Sequence, residues 1–263
     1  MASRVLPGRY RRELMAVYGY ARLTDEIGDA ATGDRLQQLD WLESDLHRAA
    51  AGRASHPVLQ SLSPLLMASD VALEQCRSLI EANRLDQHVK RYETFDDLVG
   101  YCMLSAAPVG RLVLTVFGAT GSEQTALSDR VCIGLQVAEH LQDVGEDASA
   151  GRIYLPREDL DRFGCSEQDL LAASSSPALC RVVSYESERA RGLLGAGVPL
   201  ARTLHRREAA AVCGFVAGGL AALDAVDRAG GAVLETRCRP RRSVFARRAI
   251  SAIVSANRRR EVL

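Results

Sequence analysis

Apolar residues recur along this chain every three to four positions, the period of an α-helix with one buried face. Residues 9–30 carry Leu14, Val17, Tyr18 and Ala21 on one face, and Thr32-Gly33-Asp34 ends the run. Residues 35–51 repeat the pattern with Leu39, Leu42 and Leu46, and a loop is expected over 52–57. Further helices are expected over 58–69 and 71–84, followed by a polar connection over 86–92 near the mouth of a cavity. Residues 95–117 read as one long helix kinked by Pro108 and Gly110, because proline removes a backbone donor and crowds the preceding turn. A loop with an N-cap over 122–127 leads into a central helix over 126–145, and Gly151 and Pro156 end that region. Ser174-Ser175-Ser176-Pro177 marks a turn before a helix over 178–194. Gly195, Gly197 and Pro199 make the next break, and a helix over 209–229 is closed by Gly230-Gly231. No strand-period stretch is long enough to build a sheet, so the fold class expected is all-α.

The length of 263 residues is compatible with one large helical domain over residues 1–263 or two small ones, and the 47% hydrophobic content suffices for a sizeable core. The formal net charge is zero, which gives the molecule no bias toward nucleic acid. The seven cysteines include no CxxC pair and read as reduced thiols of a cytoplasmic protein. No stretch reaches the roughly 20 apolar residues of a membrane span. The run over 209–226 is interrupted by Gly214, Gly218 and Gly219 and reads as a core helix. Lys90 is the only lysine, and arginine crowds the tail: Arg237, Arg239, Arg241, Arg242, Arg247, Arg248 and Arg258 to Arg260. That tail is either the solvated face of a last helix, with Val244, Phe245, Ile250 and Ile253 turned inward, or a peripheral contact with an anionic membrane.

Chemistry concentrates in QVAEHLQDVGEDASAGRIYLP, residues 136–156. Positions four apart share a helix face, so Gln136, His140, Asp143 and Asp147 form a polar stripe opposite Val137, Leu141 and Val144. A second pair, Asp25 and Asp29, stands one turn after Arg22. A single such pair is usually a solvated helix face. Two pairs, each backed by apolar residues, could each present carboxylates to one cavity. Close carboxylates repel unless a cation sits between them. Hard oxygen ligands suit Mg2+, which commonly keeps waters and substrate phosphate oxygens. The ligand implied is a diphosphate held through Mg2+.

The segments ELMAVYGYARLTDEIGD and LQDVGEDASAGRIYLP, with YCMLSAAPVGRLVLTVFG between them, resemble the squalene/phytoene synthase family, whose corresponding motifs run approximately YxFxRxxDDixDe and QxxNxxrDvgeDxxxgRiYlP. The third block and the QD of LQDVGED are most similar to bacterial hydroxysqualene synthases of hopanoid pathways. The resemblance implies a single-domain isoprenoid synthase helical bundle around a central cavity. It implies Asp25, Asp29, Asp143 and Asp147 as metal ligands for Mg2+. Arg22 and Gln136 match positions lining the diphosphate site, with Arg152 and Tyr154 following the second pair. Tyr101 matches a tyrosine near the reacting carbons.

Departures bear on the substrate. Glu139, with His140 beside it, stands where the family has asparagine, and either could take a proton or hold a water. Ala107 replaces the asparagine of SANPVG, and Gly230-Gly231 replaces a tyrosine. Only Ser3 and Arg4 remain of a polar stretch that relatives carry before the LP motif. Two activities are open: ionisation of presqualene diphosphate with capture by water, and transfer of a short allylic group to a small aromatic acceptor. A non-catalytic prenyl-lipid binder is a third reading that the two intact acidic pairs disfavour.

Overall fold

The computed structural model describes residues 6–236, Cys238 and Arg248. Among them the chain forms eleven α-helices, two 3-10 turns and no strand. The helices are α1 (Gly8–Asp29), α2 (Arg35–Ala50), α3 (Pro57–Ala68), α4 (Asp70–His88), α5 (Phe95–Ser105), α6 (Ala107–Phe117), α7 (Ser122–Gln142), α8 (Val144–Ser149), α9 (Arg157–Phe163), α10 (Pro177–Gly197) and α11 (Arg206–Arg228). The 3-10 turns are Glu167–Leu171 and Val198–Arg202. The backbone gathers into two compact units, one of residues 1–89 and 103–129, the other of residues 90–102 and 130–263.

The first unit is built on α1, α2, α3, α4 and α6. Tyr20, Leu39, Leu42, Leu46, Leu59, Leu62, Ile80 and Leu112 meet in one core with no exposed surface. The Tyr20 hydroxyl is satisfied there by donating to the Cys76 carbonyl at 2.8 Å. Asp34 caps α2 by accepting from the Gln37 amide. Asp45 is buried, which works against its charge. Donors from the Ser55 and His56 amides, the Arg48 guanidinium and the Ser55 hydroxyl overcome that and hold its carboxyl down at about 2.

The second unit depends on glycine where α7, α10 and α11 cross. A Cβ at Gly134 would lie 2.9 Å from Leu194 Cγ and 3.1 Å from the Ala190 carbonyl oxygen. A Cβ at Gly219 would lie 2.7 Å from Leu135 and 2.9 Å from Leu194. Gly230 and Gly231 close α11 at φ +61° and +79°, and Gly231 lies so near Cys180 that a Cβ would fall 2.7 Å from its carbonyl oxygen.

Boundaries differ from the sequence-based expectation in informative places. α4 runs past Arg84 to His88, because its buried face continues through the polar residues Asn83 and Asp86. The stretch 95–117 is two helices, broken before Ala107 so that Pro108 falls in the first turn of α6, where its missing donor costs nothing. α7 begins at Ser122, inside the expected loop, and stops at Gln142 instead of 145. α10 absorbs Gly195 and ends at Gly197. The expectations for Ser3, Arg4 and the arginine-rich tail lie outside the described residues, Arg248 excepted. Among the described residues, α11 is the one single helix long and apolar enough to cross a membrane, and 67% of its apolar window is buried inside the protein.

Candidate functional site

The two acidic pairs belong to different units, and each has its own setting. In the first unit, Arg22, Asp25 and Asp29 lie on the exposed face of α1, whose opposite face buries Tyr20, Thr24 and Ile27. Asp29 is the last residue of the helix, and its last turn contains no basic residue. Acidic groups at a helix C-terminus face the negative pole of the backbone dipole as well as each other. This end of α1 therefore favours a cation.

α4 braces that turn. The Asn83 amide donates to the Leu79 carbonyl at 3.0 Å and reaches Asp25 Oδ1 at 3.5 Å. The Gln87 amide donates to the Gly28 carbonyl at 3.1 Å, satisfying an acceptor that the end of a helix leaves open.

In the second unit, α7 ends at Gln142, and Asp143 leaves the helical conformation at φ −110° and ψ 14° before α8 begins. The Asp147 amide still donates to the Asp143 carbonyl at 2.8 Å, so the four-residue spacing survives the break. His140, 9% exposed, holds the group together. Its Nε2 lies 3.2 Å from the Gln136 amide nitrogen, its Nδ1 lies 3.8 Å from Asp147 Oδ2, and its ring stacks on Tyr154 at 3.8 Å and 15°. Tyr101 lies 5.5 Å from Tyr154 and 6.4 Å from His140, and Tyr92 joins at 5.4 Å from Tyr101 and 5.8 Å from Tyr154. Three of the chain's seven tyrosines thus form one cluster with the imidazole, Tyr154 stacked on its ring, Tyr101 beside it and Tyr92 packed on the other two.

Burial raises the Asp143 carboxyl above its ordinary value, and the charges of Asp147, Glu139 and Glu146 push the same way, with His140 opposing. Arg152 lines a small cavity with His140, Asp147 and Tyr154. The RIYLP segment is held by backbone bonds from Ile153 to the Lys90 carbonyl and from Arg157 to the Tyr92 carbonyl, both 2.9 Å. Arg91 fastens the turn before it, donating to the Gly151 carbonyl at 2.8 Å while gripping Glu167 with both arms at 2.7 and 2.9 Å.

The second unit therefore brings together Gln136, His140, Asp143, Asp147, Arg152, Tyr154 and Tyr101. Glu139 is exposed and stands apart from the ring stack. Tyr92, Asn83 and Gln87 have no motif around them; each is a lone residue in a polar stretch, and nothing in spacing marks it. Among the described residues no three histidine, cysteine or acidic side chains form a ready-made metal centre. Two pairs of hard oxygen donors in cation-demanding settings fit Mg2+, which completes its shell with water and phosphate oxygens.

A family model described as squalene/phytoene synthase matches residues 1–245. The hydroxysqualene synthase of Rhodopseudomonas palustris is 38% identical over 206 residues, covering 76% of this chain and 69% of its own length. The 15-cis-phytoene synthase of Synechocystis is 33% identical over 205 residues, covering 73% of this chain and 61% of its own. The crystal structure of squalene synthase HpnC from Alicyclobacillus acidocaldarius superposes with a TM-score of 0.82 at 39% identity, covering 87% of each chain.

Proposed function

The chain belongs to the squalene/phytoene synthase family of isoprenoid synthases acting on prenyl diphosphates, and we propose that it converts presqualene diphosphate and water to hydroxysqualene and diphosphate. The reaction breaks a carbon–oxygen bond, and the diphosphate leaves with the bonding electrons. The cyclopropylcarbinyl cation rearranges, and water adds to carbon and loses a proton.

Asp25, Asp29, Asp143 and Asp147 would hold Mg2+, which when bound offsets the charge developing on the leaving diphosphate. In the second unit Gln136 and Arg152 would bind diphosphate oxygens, and in the first Arg22, one turn before Asp25, matches a family position with the same role. Tyr92 and Tyr101 supply aromatic rings that favour a nearby cation without trapping it, and Tyr154 carries the stacked His140. His140, with Nδ1 towards Asp147, accepts at Nε2 the proton released when water adds, the water taking the place of the Gln136 amide at that nitrogen. Its position supports an imidazole role over Glu139, which is exposed.

The observation that carries the proposal is the His140 assembly: an imidazole stacked on Tyr154 and in reach of both Gln136 and Asp147. The 38% identity to a hydroxysqualene synthase supports the choice of substrate. The test is product analysis with Mg2+. Presqualene diphosphate is supplied in one reaction, and dimethylallyl diphosphate with flat aromatic acceptors in another. An Asp143→Ala/Asp147→Ala variant is the control. Hydroxysqualene in the first reaction, abolished in the variant, is expected. A prenylated aromatic in the second would replace this proposal with acceptor alkylation, and a folded enzyme releasing diphosphate in neither would refute both.

A further inference from the structure

The end of α1 carries three acidic side chains, Asp25, Glu26 and Asp29, with no basic residue in its last turn. Carboxylates at a helix C-terminus face the negative pole of the backbone dipole, a setting that favours a cation. Two carboxamides from α4 meet it. Asn83, 8% exposed, reaches Asp25 Oδ1 with its amide nitrogen, and Gln87 closes the Gly28 carbonyl. Gln87 also donates to the Asn83 carbonyl at 2.9 Å, so the two act as one bracket.

Gly28 is the counterpart of that bracket. A Cβ there would fall 1.9 Å from Asn83 Oδ1 and 2.8 Å from its Cγ, so the amide occupies the volume a side chain would need. The fit fixes the amide plane: Oδ1 lies against Gly28, and the nitrogen is turned to the Leu79 carbonyl at 3.0 Å and to Asp25 Oδ1 at 3.5 Å. We propose that Asn83, assisted by Gln87, is a positioning residue for the first acidic pair, holding Asp25 in the orientation that receives Mg2+ and diphosphate. The inference rests on the metal-dependent reading above, but it concerns the chain's own geometry before metal binds. An amide suits the task because it donates to one carboxylate oxygen without adding a charge. A lysine there would compete with the metal, and an aspartate would repel Asp25.

The experiment compares wild type with Asn83→Ala, Gln87→Ala, Gly28→Ala and the Gly28→Ala/Asn83→Ala double variant. Two readouts are taken: the Mg2+ concentration giving half-maximal diphosphate release, and thermal stabilisation by Mg2+ with inorganic diphosphate, which needs no prenyl substrate. Asn83→Ala should raise the half-saturating Mg2+ concentration about fivefold, the loss of one long hydrogen bond to a charged acceptor, with kcat at saturating Mg2+ unchanged. Gln87→Ala, at a partly exposed position, should shift it in the same direction by about twofold. Gly28→Ala should lose both stability and Mg2+ response. The double variant, left with a Cβ–Cβ approach of 3.1 Å, should regain stability but not Mg2+ response. Wild-type Mg2+ dependence in folded Asn83→Ala or Gln87→Ala protein would overturn the proposal, as would a fall in kcat with no change in Mg2+ requirement. If wild type releases no diphosphate from any prenyl substrate, the function assigned above fails. The thermal readout with inorganic diphosphate still decides the role of Asn83.

Discussion

Replacing Glu186 by glutamine should change how the stability of this protein depends on pH. Asp159 and Glu186 are 2% and 1% exposed, and both bind the same arginine. Arg189 Nη1 lies 2.6 Å from Asp159 Oδ2 and 2.8 Å from Glu186 Oε1, with the guanidinium 4.5 Å over the Phe95 and Tyr185 rings. One cation cannot neutralise two buried carboxylates. Burial pushes Glu186 up to about 8 from an ordinary 4.5, a shared proton with Asp159 adds to this, and Arg189 opposes it. The folded protein therefore keeps a proton that the unfolded chain has released. Stability from this group is complete below about pH 4.5 and declines as pH rises, until it is lost above about 8. One proton corresponds to about 1.4 kcal/mol per pH unit, so wild type should lose about 2–3 kcal/mol between pH 5 and 7 from this cluster alone. Glutamine keeps the shape, donates to Asp159 and cannot ionise. Urea unfolding of both proteins at pH 5, 6, 7 and 8 measures the difference, and the variant's slope should be shallower by about one proton. Parallel pH profiles would refute the shared-proton account.

Other consequences can be checked independently. Asp143→Asn removes one of the mutually repelling carboxylates, so it should stabilise the metal-free protein by about 1 kcal/mol; calorimetry should also show a smaller gain on adding Mg2+ and diphosphate, and product analysis a loss of turnover. Gly219→Ala places a methyl 2.7 Å from Leu135 and 2.9 Å from Leu194; overpacking of this kind costs about 1–3 kcal/mol and should appear as a lowered Tm with activity per folded molecule retained. Asp45→Asn should cost about 2–3 kcal/mol in chemical denaturation, since its donors are arranged for a carboxylate. In wild type that contribution is present above about pH 3.8 and fades as pH falls toward about 2.

Much of the helical order was legible because the apolar spacing is regular: Leu39, Leu42 and Leu46 are all fully buried, as their register predicts. Both acidic pairs were visible by spacing, and their motifs led to the family. Three features were not. The break at Asp143 leaves no mark in hydropathy, since the residues around it keep helical periodicity. α4 outruns its apolar pattern because Asn83 and Asp86 are buried on its inner face, and polar letters read as solvent. Tyr92 reaches Tyr101 and Tyr154 only because backbone bonds from residues 153 and 157 bring its segment alongside RIYLP. Sequence spacing cannot encode a contact made by two segments some sixty residues apart in the chain.

The crossing of α7, α10 and α11 has a bearing on how such a chain can diverge. Leu194 presses on both Gly134 and Gly219, so its side chain fills the space that two absent ones leave. A larger residue at either glycine is tolerated only where position 194 has already shrunk, and shrinking it alone opens a void. The three positions should drift as a linked set, and the order in which substitutions arise matters: a lineage that first trims Leu194 gains access to sequences closed to one that first enlarges a glycine.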